Sequence, residues 1–173
     1  MTQSPVAAPR AVASGAPARH PDDSDTMGQD AGHPISVSRS LANDAAQIHA
    51  AATDLISAAE HAGYTTSAAF ALRLALEEAV RNAFEHGCRS CPGRSVDVSW
   101  EVSPRRVVIR VSDPGPGFDP AEVPDPTTDE NLDRPSGRGL LLMRAYMTRV
   151  EFNERGNTVT MTYDAGTTPS ATG

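Results

Sequence analysis

The spacing of apolar residues changes period once along this chain, and that change sets most of what the chain can fold into. Leu41, Ala45, Ile48, Ala52, Leu55 and Ala59 recur at alternating intervals of four and three, which gathers them on one face of a helix. Gly63 is placed to end it. Residues 65–67 (Thr-Thr-Ser) offer an N-cap for a second helix, which reads through to Glu85 or His86 with Gly87 as its stop. From Val96 the interval becomes two: Val96, Val98, Trp100 and Val102 share one face of a strand, and Asp97, Ser99, Glu101 and Ser103 the other. A sheet built from such a strand is covered on one side only.

The remaining elements follow from turn chemistry. A short strand over residues 35–38 precedes the first helix. A turn at Pro104 leads into Val107, Ile109 and Val111, a strand that stops at Asp113-Pro-Gly-Pro-Gly. Residues 119–136 are rich in Pro and Asp and show no period, and a loop of that length is usually functional or mobile. Residues 137–147 read as a short apolar helix. A hairpin of residues 150–153 and 158–163, turned at Glu154-Arg-Gly-Asn, closes the pattern. The expected fold is α+β: a two-layer α/β sandwich whose sheet is mixed and mostly antiparallel, with helices on one face. Residues 1–34 and 165–173 hold few large apolar side chains and are expected to be disordered tails. The folded domain then spans residues 35–164, an ordinary domain size.

Charge narrows the function. The net charge is −7, and no basic stripe is present to displace counterions from a nucleic acid. All 15 positive side chains are arginine. Without a lysine, a Walker-type phosphate loop is excluded, and phosphate binding falls to Arg, backbone N–H groups or a metal ion. The apolar stretches are cut by Arg73, Glu77 and Glu78, so nothing reaches the ~20 apolar residues that span a bilayer. With no apolar signal-peptide core at its start, the chain is expected in the cytoplasm and off the membrane. Cys88 and Cys91 form one C-x-x-C, which cannot close a four-ligand zinc site alone and reads as two loop thiols.

The second helix carries the first chemical signal. On a wheel of about 100° per residue, Ala69, Leu72, Leu76, Val80, Ala83 and Phe84 form the arc that faces the sheet. Glu77 and Arg81 fall on the solvent side as an i,i+4 pair. Glu78, Asn82 and His86 step along a border face, where a cleft between helix and loop opens. For one helix alone, the simpler reading of Glu78 and Asn82 is surface polarity. Two glycine motifs strengthen the other reading. In Asp113-Pro-Gly-Pro-Gly-Phe118, Gly115 and Gly117 let a planar ligand approach the backbone, and the Asp113 carboxylate can accept a hydrogen bond from an exocyclic amine. Gly137, Arg138 and Gly139 stand at the mouth of the apolar helix, where bare N–H groups hold anions without a lysine, and Arg134 or Arg138 can add charge.

In order, these three elements resemble a known superfamily. Leu-Ala-Leu-Glu-Glu-Ala-Val-Arg-Asn-Ala-Phe-Glu-His-Gly is similar to the N-box helix of the ATP-binding domains of gyrases, heat-shock chaperones, histidine kinases and mismatch-repair ATPases. Asp113-x-Gly-x-Gly resembles its G1 box and Gly137-x-Gly-Leu-x-x-Met-Arg its G2 box. The short length and the wording E-E-A-V-x-N-A-x-x-H-G make the chain most similar to the anti-sigma-factor serine/threonine kinases. The resemblance implies ATP and Mg²⁺ as ligands. It implies Glu78 as general base toward a serine, Asn82 as the Mg²⁺ ligand, Asp113 as receiver of the adenine amine, and Gly115 and Gly117 as the walls of the base pocket. Gly137, Arg138 and Gly139 would cradle the phosphates under a lid of residues 119–136. Thr158 is expected to support the adenine contact or to be an ordinary strand residue, and His86 to cap its helix. The implied partners are an anti-anti-sigma antagonist, a sigma factor and a second copy in a homodimer. Two other functions fit the same motifs: a nucleotide-gated partner-binding module without kinase activity, and a stand-alone ATPase domain of a signalling complex.

Overall fold

The computed structural model describes residues 34–87, 93, 95–118 and 138–167. Helix α1, Ala45–His61, starts where the Asp44 carboxylate accepts the Ala46 N–H at 2.7 Å. It ends in a Schellman turn, in which Gly63 N–H reaches Glu60 O and Tyr64 N–H reaches Ala59 O, each at 3.0 Å. Thr65 then caps α2, Thr66–Asn82, its hydroxyl accepting from Ala68 N–H at 3.2 Å. The last turn, Ala83–Gly87, widens to π geometry, a local irregularity often found beside functional sites.

Strands β1 (Ile35–Leu41), β2 (Val96–Val102), β3 (Arg106–Ser112), β4 (Arg149–Phe152) and β5 (Thr158–Asp164) form one sheet in the order β1-β2-β3-β5-β4. All four described pairings are antiparallel, which sharpens the expected mixed sheet. Register carries the core across the sheet: Val37, Trp100, Ile109, Met161 and Val150 stand in one row, and Val98, Val111, Val159 and Phe152 in the next. These rows pack beneath α1, α2 and α3, Arg138–Tyr146, through Leu55, Leu72, Leu76, Val80, Leu140 and Met143. The architecture is α+β, an open antiparallel sheet with helices over one face.

The first strand runs three residues past the expected 35–38, so Leu41 ends β1 and does not begin the helix. Its alternating side chains explain this. Val37, Arg39 and Leu41 face the helices opposite Trp100, Val98 and Val96, and a charge at the middle position hid the period of two. Arg39 is accommodated there by Asp54 of α1 and by the Trp100 ring, 5.7 Å from its guanidinium carbon. An inward charge on an edge strand also discourages pairing with another chain.

Among the described residues, no helix is long and apolar enough to cross a membrane. The expected tails fall largely outside the described residues, as do Cys88, Cys91, Arg134, Gly137 and the expected lid at 119–136. Past β5 the chain is described to Thr167, with Ala165 N–H donating to Arg105 O at 2.9 Å.

Candidate functional site

The border face of α2 becomes a site because two glycines let other elements press against it. A Cβ built on Gly139, in the first turn of α3, would stand 2.7 Å from Glu78 Oε2 and 3.0 and 3.2 Å from the two amide atoms of Asn82. A side chain there would fit only if the ends of Glu78 and Asn82 moved aside. The α3 backbone therefore lies directly on Glu78 and Asn82. At the far end of α2 the π turn brings Gly87 to Asp113, where a Cβ would fall 2.1 Å from both Cγ and Oδ1 of the carboxyl group. Gly115 closes over the same point, with its would-be Cβ 2.1 Å from Gly87 O. Five residues of helix separate Asn82 from Gly87, roughly 7 Å at 1.5 Å per residue. The second glycine motif and the acid thus meet the same helix, Gly139 at the turn of Glu78 and Asn82 and Asp113 at the C-terminal end.

Glu78 is the charged residue of this group that is taken out of water: its side chain is 6% exposed, whereas that of Glu77 is 36% exposed. The expected Glu77–Arg81 pair does not form. Glu77 accepts from Arg73 Nε at 2.8 Å, and Arg81 turns to the Glu78 carboxylate. The physical reason is desolvation, since a buried carboxylate gains more from an adjacent guanidinium than a half-exposed one already served by Arg73.

Asp113 is held by its neighbours in a defined pose. Its Oδ1 accepts the Gly115 N–H at 2.8 Å, which turns the chain out of β3. Burial pushes its carboxyl above the ordinary carboxylate range, while the Gly115 N–H and the Arg155 charge hold it back. With Oδ1 engaged, Oδ2 remains to receive a donor such as an exocyclic amine.

The turn between β4 and β5 fixes this loop from the other side. Asp113 N–H donates to Asn157 O at 3.0 Å, and Asn157 Nδ2 donates to Asp113 O at 2.9 Å. Asn153 in turn holds Asn157, with Nδ2 donating to Asn157 Oδ1 at 2.9 Å and Oδ1 accepting from Asn157 N–H at 3.1 Å. Gly117 and Gly156, both at positive φ, interlock with the backbones of Arg155 and Phe118. The Phe118 and Phe152 rings meet edge-on at 5.2 Å.

Thr158 takes no part in these contacts. Its hydroxyl pairs with that of Ser112 at 2.9 Å, and it alternates with Val159, which faces the helices, so it points to the opposite side of the sheet from the Asp113 carboxyl group. Asn157, one residue earlier, is the residue bonded to Asp113. The only available signal was that parity: counting back from Val159 as core puts Asn157, and not Thr158, on the helix side. His86 lies exposed in the π turn. Of the second glycine motif, Gly139 is placed as described and Arg138 begins α3, while Gly137 lies outside the described residues.

A shallow hollow of about 370 Å³ lies elsewhere, along β1, β2 and β3, where residues 38–40, 97–99, Arg110 and Ser112 line it. None of the residues that converge on α2 lines it. The convergence carries the argument because it is built from close backbone approach, which costs side-chain volume at fixed positions and needs a reason.

The chain is 28% identical over 88 residues to the serine/threonine-protein kinase BtrW of Bordetella bronchiseptica, a match covering 50% of this chain and 62% of that protein, less than two thirds of its length. The family model of the histidine kinase-like ATPase domain matches residues 41–163, well over half of the chain, and the chain belongs to that family.

Proposed function

We propose that this ATPase domain is an ATP-dependent protein serine/threonine kinase of the anti-sigma type, which phosphorylates an anti-anti-sigma antagonist and sequesters a sigma factor. The observation that carries the reading is the packing of Gly139 onto Glu78 and Asn82, on the same helix whose end abuts Asp113. A buried acid and a carboxamide beside the first turn of a helix support that reading, since phosphoryl transfer would use a base, a metal ligand and an anion site close together. The kinase name of the Bordetella relative supports the same class.

Each residue then has one task. Asp113 Oδ2 accepts the adenine amine, with Gly115 and Gly117 letting the loop fold against Gly87 and Arg155 so that the acid keeps its pose. The second glycine motif, Gly137, Arg138 and Gly139, is assigned to the phosphates, with backbone N–H groups of the first turn of α3 as donors. The Asn82 amide is a hard oxygen donor and suits Mg²⁺. When bound, that ion neutralises phosphate oxygens. Glu78 accepts the proton of the acceptor serine hydroxyl as its oxygen attacks the γ-phosphorus, and ADP departs with the bridging oxygen's electron pair. The protein acts as a homodimer in the cytoplasm, and the acceptor approaches from the solvent edge of α2.

The test is transfer of labelled phosphate from ATP to antagonist proteins. Glu78→Gln is expected to lower transfer by about 10²–10⁴-fold, the contribution of a positioned base, while Mg·ATP still binds. Transfer at the wild-type rate in that variant removes the mechanism, and absence of nucleotide binding by the wild type removes the function. Partner exchange controlled by nucleotide and unaffected by Glu78→Gln would instead identify a binding module.

A further inference from the structure

Arg81 occupies the base. Its guanidinium is paired with Glu78 Oε2, and that same oxygen is the atom nearest to the Cβ position of Gly139. One carboxylate oxygen is therefore enclosed by the backbone of α3 on one side and by a cation on the other. The two partners differ sharply in exposure, 6% for the Glu78 side chain and 53% for that of Arg81. The cation stands at the mouth of the site, on a flexible stem with free solvent beyond it. The pair is also confined to one helix, at i and i+3, so it ties no two elements together and is not a staple of the fold. Glu77, the neighbouring acid, is engaged by Arg73 and offers Arg81 no competing partner of equal burial.

We propose that Arg81 is a positioning residue that latches the Glu78 carboxylate, and that it must swing out toward solvent before Glu78 can accept a proton. The latch suppresses wasteful turnover until an acceptor protein arrives at the rim and displaces the guanidinium. This rests on the assignment of Glu78 as the base. In the reaction that the latch suppresses, a water oxygen bonds to the γ-phosphorus and the bond from that phosphorus to the β,γ-bridging oxygen breaks. Its electron pair stays with ADP. The water proton passes to Glu78 and on to solvent, leaving ADP and inorganic phosphate.

The experiment compares the wild type with Arg81→Ala, Arg81→Lys, Glu78→Gln and the Arg81→Ala/Glu78→Gln double variant, with calorimetry of Mg·ATP on each. Arg81→Ala is expected to raise ATP hydrolysis without acceptor by at least about tenfold, a fraction of what a positioned base contributes. Arg81→Lys, which keeps a cation at the rim, should stay near the wild-type rate, and the double variant should lose the gain. Nitrogen-15 spectra of the nucleotide-free protein give a readout independent of turnover. The Arg81 guanidinium should show the hindered rotation of a held group, which is released in Glu78→Gln. Unchanged or lower hydrolysis in Arg81→Ala with Mg·ATP binding intact, or a freely rotating Arg81 in the wild type, overturns the latch and leaves the kinase assignment standing. A wild type that binds no Mg·ATP overturns both.

Discussion

The sharpest test of the site is a single methyl group at Gly87. Its φ is not positive, so alanine is allowed there by the backbone, and the effect must come from space alone. The added Cβ would lie 2.1 Å from both Cγ and Oδ1 of Asp113 and 2.6 Å from Oδ2. Carbon and oxygen atoms need more than 3 Å, and the clash includes Cγ, so the whole carboxyl group must rotate away and not merely its tip. Rotation breaks the 2.8 Å bond to Gly115 N–H and withdraws Oδ2 from an incoming amine. Losing a hydrogen bond to a charged group is worth about 1.5–3 kcal/mol, which is a weakening of nucleotide binding by roughly 10- to 150-fold. Stability should fall as well. Overpacking costs about 1–3 kcal/mol, and the stiffer unfolded chain of an alanine variant offsets about 0.4–1 kcal/mol of that. Titration calorimetry with Mg·ATP, alongside denaturant melts, separates the two numbers. An alanine variant that binds ATP as tightly as the wild type would refute the idea that Asp113 reads the base from its present pose.

Three further variants have expected outcomes. Asp113→Asn should lose Mg·ATP affinity at neutral pH by a factor of ten or more while remaining folded. Because burial raises the folded-state pKa of Asp113, the native protein binds more protons than the unfolded chain in the window above the ordinary carboxylate range, so wild-type stability falls as pH rises through it, and Asp113→Asn should lack that slope in pH-dependent melts. Asn157→Ala removes two side-chain bonds, to Asp113 O and from Asn153 Nδ2, and should cost about 2 kcal/mol in denaturant melts together with a weaker nucleotide complex. Tyr64→Phe deletes the 2.9 Å bond to Ser103 O, worth about 1 kcal/mol. Burial first, then Tyr163 and Asp164, push the Tyr64 hydroxyl from 10.0 up to about 12. The wild type should therefore lose stability between those pH values through this group, and the phenylalanine variant should lose less.

The sequence made the fold legible wherever one face of an element is buried and the other wet. Strand β2 alternates in exposure as its residues alternate in polarity, and the Glu77/Glu78 distinction on α2 came from the wheel alone. What escaped were places where one polar residue does something the period cannot express. Arg39 sits on the buried face of β1 and cut that strand short in the reading, although a partner in α1 and the Trp100 ring make the position tolerable. Arg81 chose the buried acid over the exposed one, a choice decided by desolvation and invisible on a wheel that treats all solvent-side positions alike.

Asn157 is the most instructive of these. Glycine motifs announce themselves because few residues can replace glycine under a backbone, but an asparagine in a hairpin turn has an ordinary explanation, and Thr158 beside it is the better strand former. The difference is decided one level up, by the parity of β5. Val159 must face the helices, which turns Thr158 to the polar side and leaves the strand's entry residue beside Asp113. Slip β5 by one residue and Thr158 would take that place, while Val159 and Met161 would turn out into water. The core thus selects which side chain braces the nucleotide loop, and the same apolar alternation that holds the sheet together fixes the pose of the acid at its end.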